Sequence, residues 1–148
     1  MSQTIFEAVG GLPALLALSR AWHARCLADP VVSHGFSHGY HPQHSERLAA
    51  YWAEALGGPS DYSHDMGNET VVLRLHSGNG EHREMDERAL ACFAQALDDA
   101  GLPDDPRLRA TLKAYFAWAM ERMNEYPDSA EHVPRGLVIG RWSWNGPA

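Results

Sequence analysis

Five stretches of this 148-residue chain repeat their apolar residues every three or four positions, and the first four run into glycine or proline. That pattern commits the chain to an all-α fold. A 3.6-residue period lines one stripe of a helix, whereas a strand needs a period of two. The first stretch covers Thr4 to Val9 and stops at Gly10-Gly11. The second runs from Pro13, a favoured first helical residue, to Ala28 before Asp29-Pro30. Its stripe holds Leu15, Leu16, Trp22, Cys26 and Leu27, with Ser19 and His23 on the same side. The third runs from Pro42 to Gly57-Gly58-Pro59 and points Leu48, Tyr51, Trp52, Ala55 and Leu56 inward, with His44 one turn before Leu48. The fourth, Glu81 to Asp99, presents Met85, Ala89, Cys92, Phe93, Ala96 and Leu97. The fifth opens on Asp105-Pro106, an N-cap followed by proline, and carries Leu108, Leu112, Tyr115, Phe116, Ala119, Met120 and Met123.

Two regions escape the period. Residues 59–80 are rich in Gly, Ser, Asp and Asn around one apolar run, Val71-Val72-Leu73-Arg74-Leu75, which fits a strand or one helical turn. A structureless connection of that length is unusual inside a compact domain unless it is functional or held by a ligand. From Pro127 onward the chain is irregular, yet it contains Trp142 and Trp144, which favour burial. The expected organisation is one domain over residues 1–126 and a C-terminal extension, 127–148, packed on the domain or at an interface such as a homodimer.

Charge narrows the function. Lys and Arg number 12 against 19 Asp and Glu, giving −7, which disfavours a nucleic-acid partner. No apolar run is long enough to cross a bilayer, and the first seven residues lack a signal-peptide pattern. A cytoplasmic protein with Cys26 and Cys92 as reduced, packed thiols is expected.

Nine histidines, left out of that charge sum, are the unusual element of the composition. His34, His38 and His41 fall in what reads as a surface turn, and His64, His82 and His132 lie in polar surroundings. The three-residue spacing of His38, His41 and His44 admits a zinc site, although no HExxH or CxxC pattern supports it. His23 and His44 sit on apolar stripes, where a buried imidazole is either a hydrogen-bonded core residue or a ligand. His76 closes the run Val71 to Leu75 and precedes Ser77-Gly78-Asn79-Gly80. One imidazole beside an apolar, aromatic-lined slot is enough to hold a haem iron.

Several of these motifs, in this order, resemble the truncated haemoglobins. Phe6-Glu7-Ala8-Val9-Gly10-Gly11 is similar to that family's opening signature. Trp52 to Pro59 followed by Tyr62-Ser63 resembles its second group, and His76 to Gly80 resembles the segment around its proximal histidine. Leu90 to Pro103 continues the similarity, which spans Phe6 to Glu125. The resemblance implies a two-on-two helical sandwich enclosing haem b, with His76 as the iron ligand. It places Phe36 against the haem edge and His44, with Leu48 a turn later, on the distal side. Two positions depart from the family pattern. His23 stands where a tyrosine is usual and Ala89 where a tryptophan is typical, with Trp22 a candidate to refill the volume.

The resemblance implies binding of dioxygen, and of NO or CO as related diatomics. An imidazole donates one N–H when neutral, titrates near neutral pH and can act as general acid or base toward a bound peroxide. His44 and His23 are therefore the candidate catalytic groups, and either one could itself ligate iron. NO-dioxygenase or peroxidase-like turnover becomes plausible, fed by an external electron donor, since the chain has no flavin or nicotinamide domain. The alternatives are a haem-dependent oxidoreductase on a small organic substrate, with space at Ala89 and a lining from Trp142 and Trp144, or a non-haem zinc protein.

Overall fold

The computed structural model describes residues 3–148, and Met1 and Ser2, the head of the expected 1–126 domain, lie outside the described residues. The described chain forms α1 (Ile5–Val9), α2 (Gly11–Ala28), α3 (His44–Ala55), α4 (Glu69–His76), α5 (Arg83–Asp99) and α6 (Pro106–Met123). Local chemistry sets several boundaries. Thr4 and Glu7 cap α1 reciprocally through side chain and backbone. Gly10, at φ 109°, ends α1 and turns directly into α2, so α2 begins at Gly11 and not at Pro13. The Asp29 carboxylate accepts the N–H groups of Val31 and Val32 and starts a 3-10 turn, Val32–Phe36. Asp105 accepts from Arg107 and Leu108 to open α6, as its pairing with Pro106 predicts.

Helix α2 packs on both α3 and α5, and α5 pairs with α6. Four aromatic residues, one from each of these helices, lock the sandwich. Phe93 of α5 stacks on Phe116 of α6 with centroids 4.2 Å apart. Trp52 of α3 meets both edge-on at 5.7 and 6.3 Å. Trp22 of α2 reaches Trp52 at 6.3 Å and Phe116 at 5.4 Å. Each such pair adds about 0.5–1.5 kcal/mol beyond its area burial.

The structure corrects the sequence reading in places. Leu27 is 41% exposed, and Leu18, at 1%, takes the inner position on α2. The stripe follows the 15–18–22–26 course, and Leu27 lies about 100° round from Cys26. Helix α3 begins at His44, two residues later than expected, because Pro42 sits in a turn closed by His44 N–H on the His41 carbonyl. The connection 59–80 is largely structured: a π-type turn spans Tyr62–Met66, and Val71 to Leu75 belong to a full helix, α4. Asn68 caps that helix by accepting from Val71 N–H at 3.0 Å.

The C-terminal extension lies against the helices. Trp142 packs on Tyr115 and Trp118 of α6 at 6.2 and 5.2 Å. Trp144 donates its indole N–H to the Gln3 carbonyl at 2.7 Å and lies under the Arg107 guanidinium. A small antiparallel hairpin pairs Trp142–Ser143 with Gly146–Pro147. Among the described residues no helix is long and apolar enough to cross a membrane.

Candidate functional site

Four rings converge where α2, the turn after it and the start of α3 meet. His23 of α2 lies 4.7 Å from His44 of α3, 4.9 Å from Phe36 and 4.5 Å from Tyr40, centroid to centroid. Phe36 and Tyr40 each also face His44, at 5.4 and 5.9 Å. Both ring nitrogens of His23 and Nδ1 of His44 are buried without a hydrogen-bond partner. A buried donor or acceptor left unpaired costs about 1–3 kcal/mol, so three in one cluster is unusual for a site that serves packing alone. Burial pushes the His44 imidazole down to about 4, and His23 and His76 add to the effect while Glu46 opposes it. Burial lowers His23 as well. Both rings are therefore neutral at pH 7, each with one N–H and one lone pair. Leu48 sits one turn beyond His44, half-buried against the core.

His76 is the last residue of α4, and its side chain is exposed. Its Nδ1 is 2.8 Å from the Val72 carbonyl, one turn back. A carbonyl only accepts, so Nδ1 carries the proton and Nε2 keeps its lone pair. That tautomer leaves Nε2 able to bind a metal, with the other ring nitrogen oriented by backbone.

Residues 4–123 match the sequence model of the bacterial-like globin family. This chain belongs to the bacterial-like globins. Its fold overlays the haemoglobin of Chloroflexus aurantiacus with a TM-score of 0.70 at 27% identity, covering 84% of this chain and 99% of that one. A thermostable haemoglobin from Thermobifida fusca aligns at 0.67 and 27% identity over 91% of this chain and 100% of the other. The group II truncated haemoglobin of Bacillus anthracis has the same fold, with a TM-score of 0.72 at 23% identity over 87% and 96% of the two chains. The cofactor of a globin is haem iron, and the donor set fits it: an imidazole on α4 with its Nδ1–H held by backbone, and two neutral, partner-less imidazoles on α2 and α3.

Within this globin the remaining candidate residues are placed as follows. Ala89 of α5 is buried with Cys26, Val32 and Cys92, and Phe36 packs beside them. The Trp22 indole donates to the Ala89 carbonyl at 3.1 Å, so a bulky indole does reach this level of α5, supplied from α2. Trp142 and Trp144 contact α6 and Gln3, not the imidazole cluster, which removes them as pocket lining. The zinc grouping has no geometric support: among the described residues no three His, Cys, Asp or Glu side chains converge on a metal position. His38 is exposed, and His41 Nδ1 instead accepts the Gln43 N–H at 2.9 Å. His82 is paired with Asp86 at 2.8 Å and half-buried, not simply solvated.

Tyr40 is the site residue that sequence reasoning missed. It lies in a polar segment and remains 51% exposed, which hides it among turn residues. The available signal was its spacing, four residues after Phe36 and four before His44.

Proposed function

We propose that this globin holds haem b with His76 as the axial ligand. A diatomic ligand (dioxygen, NO or CO) then binds on the side of His23, His44, Phe36 and Leu48. When bound, the haem supplies an iron centre that coordinates such ligands and exchanges electrons. The observation that carries the reading is the set of buried imidazole nitrogens without protein partners. Those atoms gain hydrogen bonds only from something that enters the cluster.

The chain's residues divide the work. Val72 holds His76 Nδ1–H and leaves Nε2 free for the metal. Phe36 and Leu48 present apolar surface that keeps water from the cluster. His44 and His23 each offer one N–H, replacing a phenol and an indole, donors that do not accept a proton as readily. An imidazole both gives and takes protons, so His44 also suits general acid or base work on a bound peroxide or on the oxygen used in NO dioxygenation. Such turnover draws electrons from a donor outside the chain, and a cytoplasmic setting supplies one. The Trp22 indole beside Ala89 narrows the space that the organic-substrate alternative needs, which favours the diatomic-ligand reading.

Absorption spectra of the ferric, ferrous and CO forms test this. The wild type develops a Soret band on haem supplementation, and His76→Ala weakens or abolishes it. Low-spin six-coordinate bands in the resting protein, if lost in His44→Ala or in His23→Ala, identify the ring that ligates the iron itself. Stoichiometric conversion of NO to nitrate by the oxygenated protein identifies the dioxygenase activity. No Soret band, or an indifferent His76→Ala, overturns the reading.

A further inference from the structure

Glu69 is fully buried at the first position of α4, seven residues before His76. Its Oε1 accepts the Tyr51 hydroxyl at 2.6 Å, and its Oε2 pairs with Arg122 Nε at 2.6 Å. Tyr51 lies on α3 two turns beyond His44 and on the same face. One carboxylate thus ties the helix of His44 to the helix of His76 and to α6. Arg122 passes the link on by donating to the Val138 carbonyl at 3.0 Å.

The rest of α4 is held from the same side. The Thr70 hydroxyl donates to the Pro134 carbonyl at 2.9 Å and accepts Leu137 N–H at 3.0 Å. Arg74 donates to the Val133 carbonyl. Just past the helix, Gly78 and Gly80 donate their N–H groups to the Tyr126 and Pro127 carbonyls at 3.0 and 2.8 Å. Gly78 has φ 78°, a left-handed backbone conformation that favours glycine. An eight-residue helix is far too short to hold itself in water, so these bonds decide its orientation. The partners from Tyr126 to Val138 lie beyond residue 123, where the match to the family ends.

We propose that Glu69, pinned by Tyr51 and Arg122, and the segment 126–138 together position α4, and so set the approach of His76 to the haem iron. Glu69 and Thr70 are positioning residues, and the inference rests on the haem reading above. The clamp acts on the metal bond through a helix, not through contact with the ligand. Its loss therefore weakens haem retention and alters the iron–histidine bond without touching the distal rings.

The test uses the haem-loaded full chain as wild type, Glu69→Gln, Tyr51→Phe and Thr70→Val. Two quantities are read: the rate of haem transfer to excess apomyoglobin and the iron–histidine stretching band of the ferrous form. Outer supports of metal ligands are worth about 10- to 100-fold in affinity, so Glu69→Gln should speed haem loss by about tenfold or more and shift or broaden the band. Thr70→Val, which leaves the carboxylate and its partners intact, should move both in the same direction by a smaller factor. It also carries the test if Glu69→Gln does not fold. Variants that merely melt earlier, with band and haem-loss rate unchanged, overturn the positioning role. A wild type without a Soret band overturns both proposals, whereas a haem-loaded wild type with unresponsive variants overturns this one alone.

Discussion

Replacing His44 by leucine should make the haem-free protein more stable, and increasingly so as the pH falls. In the native fold Nδ1 of His44 is buried without a partner, and the ring packs on His23, Phe36 and Tyr40. Leucine has similar bulk and no polar atom. Removing an unpaired buried nitrogen relieves about 1–3 kcal/mol, and loss of the ring contacts gives back about 1 kcal/mol, leaving a net gain of about 1 kcal/mol at pH 7. The pH dependence follows from linkage. The folded imidazole titrates near 4 and the unfolded one near 6.5, so between these values the unfolded chain binds the extra proton. Wild-type stability is therefore intact above the unfolded value and falls as the pH drops from 6.5 toward 4. At pH 5 the full shift amounts to about 2 kcal/mol, or roughly 1–2 kcal/mol once the ring's residual solvent contact is allowed for. The gap between variant and wild type should widen from about 1 kcal/mol at pH 7 to roughly 2–3 kcal/mol at pH 5. Urea unfolding of the haem-free proteins, followed by tryptophan fluorescence at both pH values, measures it. A variant that is less stable at pH 7, or a gap that does not widen on acidification, refutes the claim that His44 is a strained, neutral group.

Other outcomes follow from the same coordinates. Gly58→Ala should lose at least about 1–3 kcal/mol in thermal or urea melts, since the added Cβ would lie 2.6 Å from Phe6 Cδ1 and 2.8 Å from the Ala53 carbonyl. Trp22→Phe should cost about 0.5–1.5 kcal/mol by removing the indole's hydrogen bond to the Ala89 carbonyl, and it should open the flank of α5 to larger ligands such as alkyl isocyanides. Cys26 and Cys92 are buried, and burial pushes both thiols up. Native protein should therefore resist iodoacetamide at pH 8 while the urea-unfolded chain labels at two sites, and rapid native labelling would contradict that packing.

Helices α2, α3, α5 and α6 were legible because each is long enough to repeat its apolar period several times. Their ends differ from expectation by two residues or fewer: Gly11 for Pro13, His44 for Pro42 and Arg83 for Glu81. Helix α4 was ambiguous because a five-residue apolar run suits a strand or a helical turn equally. The helix is selected by the Asn68 cap and by bonds from Glu69 and Thr70 to residues 18 to 67 positions away. Local pattern does not contain those partners. His23 and His44 were readable as inward-facing from their stripes, but not as neighbours, since they stand 21 positions apart with a turn between them.

By itself, then, the sequence determined the helical class, the main helix faces and the motif that singles out His76, because these depend on spacing along the chain. Only the tertiary structure decided that His23, Phe36, Tyr40 and His44 form one cluster with unpaired nitrogens. It alone placed Trp22 beside Ala89 and bound α4 to the segment beyond residue 123. The physical reason is that burial and hydrogen-bond satisfaction belong to the packed chain. A polar residue such as Glu69 reads as surface until its distant partners, Tyr51 and Arg122, are brought to it.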